Sequence, residues 1–163
     1  MTEIQSKRKY ELLLALTQEC ERTIIEILNP PKGFEDEASK AQKAVRAGSL
    51  VSRLHSEIKS ALAISDTIRS ASNGWPFLTE DLLESDMKMS DRTGFESDLT
   101  GSTLDRASAV SLMLWRYCHD KSQYDDNEFI SVISDISGRV SEACTLVKLI
   151  NPVTPQGALK SAA

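Results

Sequence analysis

The sequence predicts an all-α protein, an antiparallel four-helix bundle. Over long stretches the apolar residues recur at intervals of three and four, the period of a helix that turns one face inward. Gly and Pro are scarce, at 7 and 5 of 163 residues, too few for the many turns an all-β chain needs. Runs of β-branched and aromatic residues are few, which removes the other strand signal.

The first helix is expected over residues 3–28. Leu13, Leu16, Cys20, Ile24 and Ile27 form its seam. Leu12, Leu14, Ile25 and Leu28 widen the seam, so this helix is expected to be buried on more than one side. Asn29-Pro30-Pro31 ends it, because proline has no amide hydrogen to continue the ladder.

The second helix is expected over 35–72, with acidic Glu35-Asp36-Glu37 at its positive end. Its seam runs through Ala41, Ala44 or Val45, Gly48, Val51, Leu54, Ile58, Ala61 or Leu62, Ser65 and Ile68. Gly48 costs about 1 kcal/mol relative to Ala inside a helix, so a bend or a close helix crossing is expected there. Lys40, Lys43, Arg46 and Arg53 make the outer side of this helix basic.

Asn73-Gly74-Trp75-Pro76-Phe77 reads as a turn, and Thr79 caps a short helix near 79–88. Met89 to Gly101 shows no helical period. The whole stretch 73–101 is acidic and irregular, and is expected to be mobile and a place where partners bind. The third helix is then expected at 102–119, capped by Ser102, with Leu104, Ala107, Val110 or Ser111, Leu114 or Trp115, and Cys118 on its inner side.

The last helix, 126–150, is the plainest. Phe129, Ile133, Ile136, Val140, Ala143, Val147 and Ile150 step alternately by four and three, a continuous seam of coiled-coil type. Asp125 caps it and Glu128 is placed to return a bond to the cap's own amide. Tyr124 is placed to pack on Phe129 as a hydrophobic staple. Asn151-Pro152 closes it. Residues 1–152 thus read as a single helical-bundle domain, and 153–163 as a loose C-terminal tail.

The bundle is expected to be elongated, since a helix over 35–72 spans about 55 Å at 1.5 Å per residue. A third helix of 102–119 is too short to cover it. Surplus seam on the second and last helices would then need the 73–101 segment or a second chain.

Chemistry is sparse. There are two histidines and three widely spaced cysteines, Cys20, Cys118 and Cys144. The cysteines read as small apolar residues in a reducing compartment. His119 stands between Cys118 and Asp120, but neighbouring positions on a helix do not converge on one ion. Glycine-rich phosphate loops, nucleophile elbows, zinc motifs and Ca²⁺ loops are missing. No enzyme activity, cofactor or metal is therefore expected. A net charge of −5 argues against nucleic acid as partner. The longest early apolar run, Leu12 to Leu16, is far below the roughly 20 residues of a membrane span. Lys7-Arg8-Lys9 before it imitates a signal peptide start, but no small-residue cleavage site follows, so the cytoplasm is the expected compartment.

The stretch Leu54 to Ser60 resembles in part a histidine phosphotransfer domain, a helical bundle with an exposed His and a Lys that steadies the phosphoryl charge. That family places Lys three residues after the His, followed by Gly. Here Ile58 holds that place, and Lys59 and Ser60 come one later. The resemblance implies His55 as a phospho-acceptor.

The expected function is a small non-enzymatic protein acting through protein–protein interaction, in a regulatory, adaptor or assembly role. Its partner is another protein or itself, with a homodimer the expected form. The candidate interaction residues are Lys40, Lys43, Arg46, Arg53, Trp75 and Phe77. Phosphotransfer through His55 and nucleic-acid binding through the basic side of the second helix are the alternatives.

Overall fold

The computed structural model describes the backbone of residues 3–72 and 89–150, and the side chains at 8–34, 36–67 and 100–148. The chain is helical: α1 (Glu3–Leu28), the single turn α2 (Phe34–Glu37), α3 (Lys40–Ser72), α4 (Met89–His119) and α5 (Asp126–Ile150). Helix α1 packs on α3 and α5, and α4 packs on the same two helices. The four long helices therefore stand at the corners of a square around one core.

Named contacts fix the register. The Thr23 hydroxyl donates to the Glu57 carboxylate, and Arg46 donates to the carbonyls of Glu26 and Ile27, so α1 and α3 run in opposite senses. Gly48 lies against Cys118, and Gly101 near Ser65, which sets α3 against α4 in the same way. The Tyr10 hydroxyl donates to the Val147 carbonyl, pairing the start of α1 with the end of α5.

The α5 seam points inward as the periodicity requires: Phe129, Ile133, Ile136, Val140, Ala143 and Val147 are all buried. On α1 the buried stripe is Tyr10, Leu13, Thr17, Cys20, Ile24 and Ile27. Tyr10 and Thr17 keep the three–four spacing but carry hydroxyls, so a search for purely apolar residues passes over them. Thr17 satisfies its hydroxyl on the Leu14 carbonyl at 2.8 Å. On α3 the core takes Ala44, Gly48, Val51, Leu54, Ile58, Ala61 and Ser65. Gly48 is a close crossing: an added Cβ would stand 3.4 Å from the Cys118 Cβ.

Several expectations are corrected. Helix α1 is buried on one face only, since Leu12, Ile25 and Leu28 are exposed at 47%, 60% and 41%. Ala41 is exposed too, one turn before the α3 seam begins. The second helix is not continuous from 35. Ala38 is extended, and Ser39 starts α3 afresh. The Ser39 hydroxyl accepts from the Gln42 amide at 3.1 Å, and Gln42 Oε1 accepts from the Ser39 amide at 2.8 Å, a reciprocal cap written in the sequence as Ser-x-x-Gln.

The largest correction concerns α4, which starts at Met89 and runs 31 residues. Ser102 is thus an interior residue, not a cap. Gly94 and Gly101 lower helix propensity locally, yet α4 continues alongside α3, and tertiary packing outweighs a cost of about 1 kcal/mol per glycine. The extended α4 matches the 33 residues of α3, so a short third helix leaving surplus α3 seam is not what the structure shows. The expected helix at 79–88 and the tail at 153–163 lie outside the described residues. Among the described residues, no helix is long and apolar enough to cross a membrane.

Candidate functional site

Lys40, Lys43, Arg46 and Arg53 of α3 reach neighbouring elements, although Lys40 and Arg53 stay exposed. Arg46 Nη2 donates to the Glu26 carbonyl at 2.7 Å, which also accepts from the Asn29 amide, and Nη1 donates to the Ile27 carbonyl at 3.3 Å, both in the last turn of α1. Its guanidinium also lies 5.6 Å over the Phe34 ring. Arg53 pairs with Glu26. Lys43 meets Asp126 in the first turn of α5 at 3.2 Å, and Lys40 donates to the Ser122 carbonyl at 2.9 Å. The four basic residues thus tie α3 to the end of α1 and to the start of α5. Trp75 and Phe77 lie outside the described residues.

His55 is half-buried against α4. Its Nδ1 is 2.8 Å from the Ser111 hydroxyl and 3.1 Å from the Ser108 carbonyl. Ser111 itself donates to the Ser108 carbonyl at 2.8 Å, so the Ser111 oxygen is free to accept from a protonated Nδ1. Burial lowers the proton affinity of His55. The Ser108 carbonyl opposes that shift, and the positive charge of Lys59 adds to it. Ser111 has no exposed surface, so this His–Ser contact offers no nucleophile to a substrate. Ile58, at the place where a phosphotransfer domain carries its Lys, is buried.

All three cysteines are buried free thiols. Burial pushes Cys20 and Cys118 up to about 12, so neither is a thiolate at neutral pH. Cys118 faces the core while His119 is exposed and bonds through Nδ1 to the Trp115 carbonyl at 2.9 Å. Among the described residues no group of three His, Cys, Asp or Glu side chains could hold a metal ion.

The turn between α4 and α5 is tightly bonded. Asp125 Oδ1 accepts from the amides of Asn127 at 2.8 Å and Glu128 at 3.1 Å, the cap expected of it. Glu128, however, does not reach the Asp125 amide directly. The Tyr117 hydroxyl stands between them, 2.8 Å from the amide and 2.9 Å from the Glu128 carboxylate. Desolvation, then that carboxylate, raises the Tyr117 pKa above its ordinary value. Tyr124 packs on Phe129 with ring centroids 5.7 Å apart, the staple the sequence predicts.

Beside this turn, Val110, Met113 and Tyr117 of α4 and Glu128 and Val132 of α5 line an open, largely apolar groove of about 510 Å³. Met113 is 68% exposed within it. On α4 the core takes Ser111 and Leu114, and that choice rotates Val110 and Met113 toward the α5 flank. The signal was present as a second stripe, Val110, Met113 and Tyr117, beside the first at the same spacing. A single-seam reading absorbs it as a wider core face.

No family model matches this chain, and neither does any curated protein or solved structure.

Proposed function

We propose that the protein is a non-enzymatic helical-bundle protein of the cytoplasm that works by binding another protein chain, in an adaptor, regulatory or assembly role. Its docking face is the α4–α5 groove. The exposed Met113, flanked by Val110, Tyr117 and Val132 in that groove, is the observation that carries this reading. Met is an adaptable side chain that suits contact surfaces. The other readings have weaker support. Phosphotransfer in the family resembled uses a Lys three residues after the His, and here that place is held by the buried Ile58, while His55 Nδ1 is engaged by Ser108 and Ser111. Nucleic-acid binding needs free cations, and Lys43 and Arg53 are in ion pairs while Lys40 and Arg46 hold backbone carbonyls.

The test is a paired capture experiment. Wild-type protein and Met113→Asp are immobilised and exposed to the same extract, after circular dichroism has shown equal helicity. A partner retained by wild type and lost by Met113→Asp is expected. Identical retention by both proteins overturns the groove as the docking face.

A further inference from the structure

We infer that the occupant of the α4–α5 groove is the same groove of a second copy of this chain, related by a two-fold axis. This deepens the reading above and rests on it. The argument is the placement of charge around the apolar centre. Tyr117 and Glu128 are bonded at 2.9 Å, so they stand at the same height on two helices that run in opposite senses. The mid-point between Val110 and Met113 lies about five to six residues, roughly 8 Å, from that height. Arg106, exposed on α4, lies the same distance from the mid-point on its other side. It keeps the groove's own spacing, one turn before Val110.

A two-fold axis through that mid-point does two things. It sets Val110, Met113 and Val132 of one copy against the same residues of the other. It brings each Glu128 to the height of the partner copy's Arg106, whose long side chain can reach across the groove's rim. By the same rise Arg139, eleven residues beyond Glu128 on α5 and paired with Asp135 at 2.9 Å, also stands at that height and adds to the positive side of the rim. Arg106 makes no hydrogen bond or ion pair with a described residue, so its guanidinium can turn to an acidic partner across the axis. Self-complementarity of one patch is the requirement for a closed dimer, and an apolar centre with an opposite-charge rim meets it. The apolar centre is small, so the pairing should be weak and depend on concentration.

The experiment is sedimentation of the full chain across a concentration series, with charge-reversal variants. Wild type should pass from monomer to dimer. Arg106→Glu alone, and Glu128→Arg alone, should each raise the dissociation constant at least about tenfold. Mixing the two variants restores opposite charges at both contacts and should recover dimer at wild-type concentrations. Arg106→Glu removes no hydrogen bond or ion pair to a described residue, so it reads the interface even if Glu128→Arg loosens the turn by losing Tyr117. A wild type that stays monomeric at every concentration, or variants whose mixture forms no more dimer than either alone, overturns self-pairing. The capture experiment is separate: a monomer whose Met113→Asp variant still loses a partner refutes self-pairing and leaves the interaction reading intact.

Discussion

Arg46 shows how much one side chain does at this end of the bundle. A helix C-terminus leaves carbonyls without partners and carries a partial negative charge. Asn29 supplies some of the donors from within the chain end, and Arg46 adds two more and the opposite charge from a different helix, covering Phe34 as it does so. Arg46→Ala should cost about 1.5–3 kcal/mol, the range for hydrogen bonds to a charged group. Arg46→Lys should recover less than half, because an ammonium lacks the planar fork that spans two acceptors. Urea denaturation measures both.

Two other residues predict opposite pH dependences. Glu57 is half-buried, and desolvation raises its pKa above 4.5 more than the Thr23 bond lowers it. The folded state then holds the proton more tightly than the unfolded one. Glu57 therefore lowers stability as pH rises from the unfolded value through the folded one, and the cost persists at neutral pH. Glu57→Gln should raise stability at pH 7 and change it little at pH 4. His55 has a folded pKa below 6.5, so the unfolded state binds the proton more tightly. Its contribution is present above 6.5 and is lost as pH falls through the window beneath it. His55→Gln should flatten that part of the stability curve. Denaturation midpoints at several pH values check both signs.

Among the helices, α4 separates what could be read in the chain from what could not. Helix α5 declares itself because three signals agree: the three–four seam, the Asp125 cap and the Asn151-Pro152 stop. The residues 89–101 carry no such agreement, since two glycines and scattered acids erase the period, and the helix shows only in the folded backbone. The break at Ala38 was legible in principle through Ser39 and Gln42, but the acidic run before it suggested an earlier start. The groove was hidden for another reason: residues that flank a seam look like part of it until the rotation of the helix is known. The continuity of α4 has a direct test. Gly101→Ala should stabilise by about 0.5–1 kcal/mol, since its Cβ would meet Ser65 and Asp66 atoms at an ordinary 3.9 Å. Gly101→Pro should destabilise by about 3 kcal/mol. A proline tolerated there would mean an irregular segment, as the sequence alone suggests.

Among the described residues the four long helices share one core, and α5 contributes Phe129, Ile133, Ile136, Val140, Ala143 and Val147 to it. Ile133→Ala removes a side chain with no exposed surface and should cost about 2–5 kcal/mol, a large share of what holds a domain of this size together. Thermal unfolding should stay a single transition while its midpoint drops. Unfolding in two steps would show that the helices divide into separate cooperative units.

The three inward thiols also make the bundle its own reporter. Cys20, Cys118 and Cys144 sit on α1, α4 and α5. A maleimide or disulfide reagent has nothing to react with until a helix lifts away. Peptide mapping after timed exposure to such a reagent would then date the detachment of each of these helices, with no engineered probe.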